Sequence, residues 1–189
     1  MNAPRPSRRR QCALAALLAG LFAASLADAQ ALPAESVATL GRSLEVGDIV
    51  FTRIGAYPFR KVAEATGTWT NHVGIVLDVS GPEPHHGDAA AVAVAAAQRA
   101  HVFYDTGFDI HSSRQFCSRY VREVLLQATG QPVGQVESFS SLLAHSPQAD
   151  VGFWRAWYFG SIPWQRETVT PASVLRTPGL QTVFDGTAV

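Results

Sequence analysis

The chain is expected to fold as a single α+β domain, and three observations point there. Val46-Gly47-Asp48-Ile49-Val50-Phe51-Thr52 and Asn71 to Val79 are short, β-branched apolar segments bounded by turn residues, the chemistry of buried strands. Between Arg114 and Ala128, the residues Tyr120, Val121, Val124, Leu125 and Ala128 recur at three- and four-residue steps, which places one apolar helix face on a core. Without its N-terminal segment the chain has about 160 residues, enough for one core and one domain.

The N-terminal segment comes first in the chain. Arg5, Arg8, Arg9 and Arg10 precede an apolar run from Cys12 to Leu26, and Ala27-Asp28-Ala29 follows. Basic, apolar and small-x-small regions in that order make a secretory signal. Residues 1–29 are therefore expected to be a cleaved signal peptide, and the protein to be exported, periplasmic or secreted. The run is short and Ala-rich for a membrane span; the alternative is an uncleaved signal anchor. Ser7-Arg8-Arg9 hints at a twin-arginine signal, but Gln11 fits that pattern poorly and ordinary secretion is preferred. No second long apolar run exists, so no second span is expected.

The whole chain has 15 basic and 15 acidic residues. Removing the signal leaves eleven basic and fourteen acidic, a balance of −3. That excludes the basic face a nucleic-acid binder needs and gives no attraction to anionic membranes.

Residues 30–43 read as a leader into a domain covering 44–189. Pro58 opens a helix through Ala65, with Gly67 just past its end. Gly81 to Asp88 is loop. Alanine in 89–97 favours helix, whereas Val92 and Val94 at period two suit a strand; a helix with Asp88 as N-cap is preferred. His111-Ser112-Ser113 offers hydroxyl caps for a helix from about Arg114 to Ala128, stopped by Gly130 and Pro132. Pro147 begins an aromatic stretch containing Phe153, Trp154, Trp157, Tyr158, Phe159 and Trp164. It reads as a buried cap over the domain, or else as an apolar wall for an acyl or lipid substrate. Trp154, Trp157 and Trp164 docking on lipid is a further possibility. From Thr170 the small and turn-forming residues suggest a loosening tail.

Cys117 is the one cysteine beyond the signal segment. An unpartnered thiol in an oxidising compartment is either buried or kept for reactivity. In the first turn of a helix, the free N–H groups and the dipole favour a thiolate, and nearby amides together with the Ser118 hydroxyl offer an oxyanion site. His72, at the start of the second strand, is the candidate general base; Gly74 beside it would allow close approach of another backbone or a ligand. For both residues a structural role stands as the alternative. His85-His86 with Asp88 lacks a well-spaced third ligand, so neither metal nor cofactor is expected.

Taken together, Gly47-Asp48-Ile49-Val50-Phe51, Asn71-His72-Val73-Gly74-Ile75, Tyr104-Asp105-x-x-Phe108 and Phe116-Cys117-Ser118 resemble the YiiX/YebB-like cysteine hydrolases, a circularly permuted branch of the NlpC-type papain-fold superfamily. Phe153-Trp154, Gly160-Ser161-Ile162-Pro163-Trp164 and Thr168 to Ser173 are similar to the YebB side. The resemblance implies a permuted papain-like α+β fold, with a small antiparallel sheet packed on the nucleophile helix. It implies Cys117 as nucleophile and His72 as general base, with Asp48, Tyr104 and Asp105 structural. It also implies a peptidoglycan peptide or acyl-lipid substrate. Only 44 residues separate His72 from Cys117, and the family's further strand with its orienting Glu has no counterpart here. Either the orienting residue is missing or Glu83 or Asp88 stands in for it, and the sheet is expected to be one strand short. The competing reading is a degenerate member that binds without turnover.

Overall fold

The computed structural model describes residues 40–79 and 88–184. In the first segment Gly47 turns the chain with φ +101°, a conformation open to glycine. The Asp48 carboxylate accepts the Glu45 N–H at 2.8 Å. Strand β1 (Ile49–Thr52) follows, then helix α1 (Tyr57–Thr66), which has Pro in its first turn and Gly67 in the left-handed conformation at its end. Strand β2 (His72–Ile75) returns antiparallel to β1 with Thr52 opposite His72 and Ile49 opposite Ile75. The second strand is thus shorter than the expected Asn71 to Val79, although the Val76 N–H still bonds to the Asp48 carbonyl at 2.9 Å. Asn71 is buried, and its amide clamps Ile54 from both sides, accepting the Ile54 N–H at 2.8 Å and donating to the Ile54 carbonyl at 3.0 Å. That clamp fixes the chain just before His72.

Residues 89–98 are helical, as the alanines favour: α2 runs Ala89–Gln98. Asp88 occupies the N-cap position, but its backbone is αR and its side chain caps nothing, so the expected cap bond is absent. Helix α3 (Cys117–Thr129) begins three residues later than the sequence suggests. Phe116 is its extended N-cap, because Gln115 is already held in a parallel bridge to Tyr104. Ser112 accepts the Arg114 N–H instead of capping the helix. Gly130 ends α3 in the left-handed conformation. Val121 and Val124 of α3 are fully buried against Val73 of β2 and Val92, Ala95 and Ala96 of α2.

Strand β3 (Val136–Ser138) pairs antiparallel with β4 (Glu167–Val169). Between them lie α4 (Phe139–Ala144), capped by the Ser138 hydroxyl, and α5 (Val151–Trp157), capped by the Asp150 carboxylate. The expected loosening after Thr170 is not what is found. Thr170 and Ser173 form a reciprocal capping box that opens α6 (Pro171–Leu175), and Val169, Ala172 and Val174 are buried. The aromatic stretch forms a second core cluster in which Trp154 contacts Phe139, Phe153 and Tyr158. Trp154 is buried, which removes it from the lipid-docking reading. Among the described residues β2 pairs with β1 alone.

Candidate active site

Cys117 is the first residue of α3 and packs against the principal core. Near its sulfur lie the Val73 N–H of β2, the Ser118 N–H and hydroxyl at the helix start, and the Tyr104 hydroxyl of the bridged segment. All four favour the thiolate, yet burial outweighs them and pushes the thiol above its ordinary value. The helix start favours the thiolate, as expected, but desolvation of the charged sulfur is the larger effect. Burial together with the facing thiol raises the Tyr104 hydroxyl as well. Tyr104 is thus the site residue that sequence reasoning missed. Its only signal was its place in the Tyr104-Asp105 motif, where it was read as structural.

Asp105 is the structural member of that motif. Its carboxylate accepts the Gly107 N–H at 2.8 Å and the Asp109 N–H at 3.1 Å, folding the loop that follows. The Ser118 hydroxyl, expected near the oxyanion, is buried and donates to the Val169 carbonyl at 2.8 Å. It ties α3 to β4 and also lies near the Cys117 sulfur. Gly74 has no atom near the position a Cβ would take, so the close approach expected there is not made.

His72 lies one residue before the amide that faces the sulfur. Its ring packs edge-on against Phe59 with centroids 6.1 Å apart. Burial lowers its pKa, keeping the imidazole neutral at physiological pH. Its Nδ1 is buried without a hydrogen-bond partner, so imidazole and thiol are not hydrogen-bonded at this nitrogen. Of the two expected orienters, Asp88 starts α2 and no hydrogen bond joins it to His72. Glu83, like His85 and His86, lies outside the described residues.

Cys117 opens onto a cavity of about 230 Å³. Its walls are Phe59 and Val62 of α1, Leu142 and Leu143 of α4, and Trp154 and Trp157 of α5. No Asp, Glu, Lys, Arg or His lines it. The indole N–H of Trp157 donates to the Thr106 carbonyl at 2.9 Å and the Tyr158 hydroxyl to the Gly107 carbonyl at 3.0 Å, which fastens the α5 wall to the loop after Tyr104.

A thiol at the first residue of a helix, packed against a histidine-bearing strand in a small α+β domain, fits a papain-like fold. The chain belongs to the family described as "Permuted papain-like amidase enzyme, YaeF/YiiX, C92 family", whose model matches residues 83–184, more than half of its length. The matched segment contains Tyr104 and Cys117, while His72 precedes it. Among solved structures the chain is similar to the metalloprotein yiiX from Escherichia coli O157:H7, at 21% identity and a TM-score of 0.61, covering 75% of this chain and 97% of that one. At that identity the likeness shows the fold. No curated protein matches the chain. Among the described residues, no three His, Cys, Asp or Glu side chains are grouped to hold a metal ion.

Proposed function

We propose that the protein is an exported cysteine hydrolase that cleaves an amide or acyl bond through a thioacyl enzyme, with Cys117 as nucleophile and His72 as general base. The observation that carries this reading is the sulfur's setting: Cys117 opens a helix, lines the cavity together with Tyr104, and lies near the Val73 and Ser118 amides and the Tyr104 hydroxyl, which favour its anion. Those donors stabilise negative charge on sulfur once the proton has left. In acylation His72 takes the thiol proton as sulfur attacks the carbonyl carbon. A C–S bond forms, the C–N or C–O bond breaks, and the leaving group departs with the proton from the imidazolium. Water then attacks the thioester, giving up a proton to His72, and the C–S bond breaks to restore the thiol and release a carboxylic acid. Tyr104, already beside the sulfur, is placed to donate to the oxyanion in both steps.

Membership of an amidase family supports an amide as the scissile group, with a cell-wall peptide among the candidates. Glu83 is an orienter candidate on the sequence alone, and the YebB-side affinity rests on the Phe153-Trp154, Gly160 to Trp164 and Thr168 to Ser173 segments. Export rests on the basic, apolar and small-residue sequence of 1–29. Incubating the purified protein with a panel of amides and esters, then measuring the intact mass, should reveal an acyl adduct on Cys117. Cys117→Ala should lose the adduct and about 10³-fold or more of turnover. No adduct and equal turnover in the variant would discard the thioacyl reading.

A second reading, a binding domain without turnover, is favoured by the unpartnered Nδ1 of His72. It predicts ligand binding with no product from any member of the panel.

A further inference from the structure

We propose that a second cavity, on another face of α1 from the one beside Cys117, binds a hexuronic acid, a pyranose carrying a single carboxylate; the site does not depend on the role given to Cys117. Helix α1 divides its residues between two spaces. Phe59, Val62 and Thr66 line the Cys117 cavity, whereas Arg60, Glu64 and Gly67, also at three- and four-residue steps, line the other. The second cavity measures about 520 Å³, and Arg53, Trp69, His145 and Ser146 stand in its wall. It has the size of a small-molecule site, and its chemistry is the reverse of the apolar one.

The polar groups of this wall are largely uncommitted. Arg53 makes no hydrogen bond or ion pair among the described residues. Arg60 lies over the Tyr57 ring at 5.6 Å and has no carboxylate partner among them either. Glu64, the acid of the wall, is held by Lys61 at 2.8 Å. Two guanidiniums are thus left without an anion, and each can bind a carboxylate through two parallel N–H bonds. Ser146 is 8% exposed, and its hydroxyl has no hydrogen-bond partner among the described residues, yet is not sealed from solvent. That oxygen lies 3.9 Å from the position of a Cβ on Gly67, at the cavity wall. A nearly buried hydroxyl left open suits a ligand hydroxyl. His145 commits Nδ1 to the Ser141 carbonyl at 2.8 Å, which leaves Nε2. Trp69 is 51% exposed and offers a flat apolar surface on which the C–H face of a sugar ring packs. An anion, several hydroxyls and a flat C–H face together describe an acid sugar. Its charge is single, because Glu64 and the C-terminal turn of α1, closed by Gly67, also border the cavity and repel a phosphate dianion more than a carboxylate.

The test is a ligand-observed NMR titration of the full chain with glucuronate and galacturonate. Glucose serves as the uncharged ring, acetate as the ringless anion and glucose 6-phosphate as the dianion. A uronate should bind saturably, and the three controls at least about tenfold more weakly. Arg53→Gln and Trp69→Ala should each weaken the uronate by about tenfold, with the thermal midpoint little changed because both side chains are exposed. Ser146→Ala should weaken it by about threefold to tenfold, and Cys117→Ala should bind it as the unaltered chain does. No saturable binding of either uronate overturns the site. Equal binding of glucose or of acetate does the same, since the arginines or the indole would then have no part. Tighter binding of glucose 6-phosphate overturns the assignment to a uronic acid, and loss of binding in Cys117→Ala overturns the separation of the two cavities.

Discussion

At the scale of single residues, the site is a contest between burial and hydrogen bonding. The Cys117 thiol is pushed up by desolvation and drawn down by the Val73 and Ser118 amides and by Tyr104. Alkylation by iodoacetamide should accordingly lag a free thiol at neutral pH and climb as pH rises through and beyond the ordinary thiol range. Removing the hydroxyl with Tyr104→Phe deletes a group that favours the anion, so the alkylation profile should move to still higher pH; a shift to lower pH would contradict the placement of that hydroxyl. His72 titrates in the opposite sense. Its folded pKa lies below its unfolded one, so as pH falls past the ordinary imidazole value of 6.5 the unfolded chain takes up more protons. The stability it contributes is full above that value and is lost on acidification toward the folded pKa. The fall in Tm between about pH 7 and 5 should therefore be smaller in His72→Gln, as calorimetry can show.

At the scale of elements, backbone close approach decides more than side-chain pattern. Gly134 has φ +76°, and a Cβ there would come within 2.6 Å of Val169 and 2.9 Å of Val174. Gly134→Ala should therefore cost about 3 kcal/mol or more in chemical denaturation, from left-handed strain and overpacking combined. Thr170→Ala, which opens the capping box of α6, should cost about 1 kcal/mol. These features also explain which elements could be read from the amino acids. Helix α3 declared itself through its apolar spacing, and α1 through Pro58 and Gly67. Its neighbours β4 and α6 did not, because three- and five-residue elements are too short to show a period and draw their burial from distant partners. The start of α3 was misplaced for a similar reason: the bridge between Tyr104 and Gln115 pairs residues whose sequence carries no sign of it.

At the scale of the whole molecule, the C-terminal segment completes the core that holds α3, the helix carrying Cys117. Val169 and Val174 sit in the same cluster as Val121 and Val124. A chain ending at Arg166 should lose its cooperative thermal transition, whereas one ending at Leu180 should keep it. The site divides along the same line. Cys117 and His72 were visible as a thiol and an imidazole on recognisable segments, but the part of Tyr104 and the chargeless wall emerge only when four distant stretches meet. Most consequential is the amide of Val73, which favours the Cys117 anion from the position next to His72. The proposed proton acceptor and anion stabiliser are thus adjacent residues, which Asn71 secures from behind. In the mechanism proposed above they cannot be tuned apart: any loosening of that hairpin, even by a distant change in the Ile54 turn, would slow the making and the breaking of the thioester together.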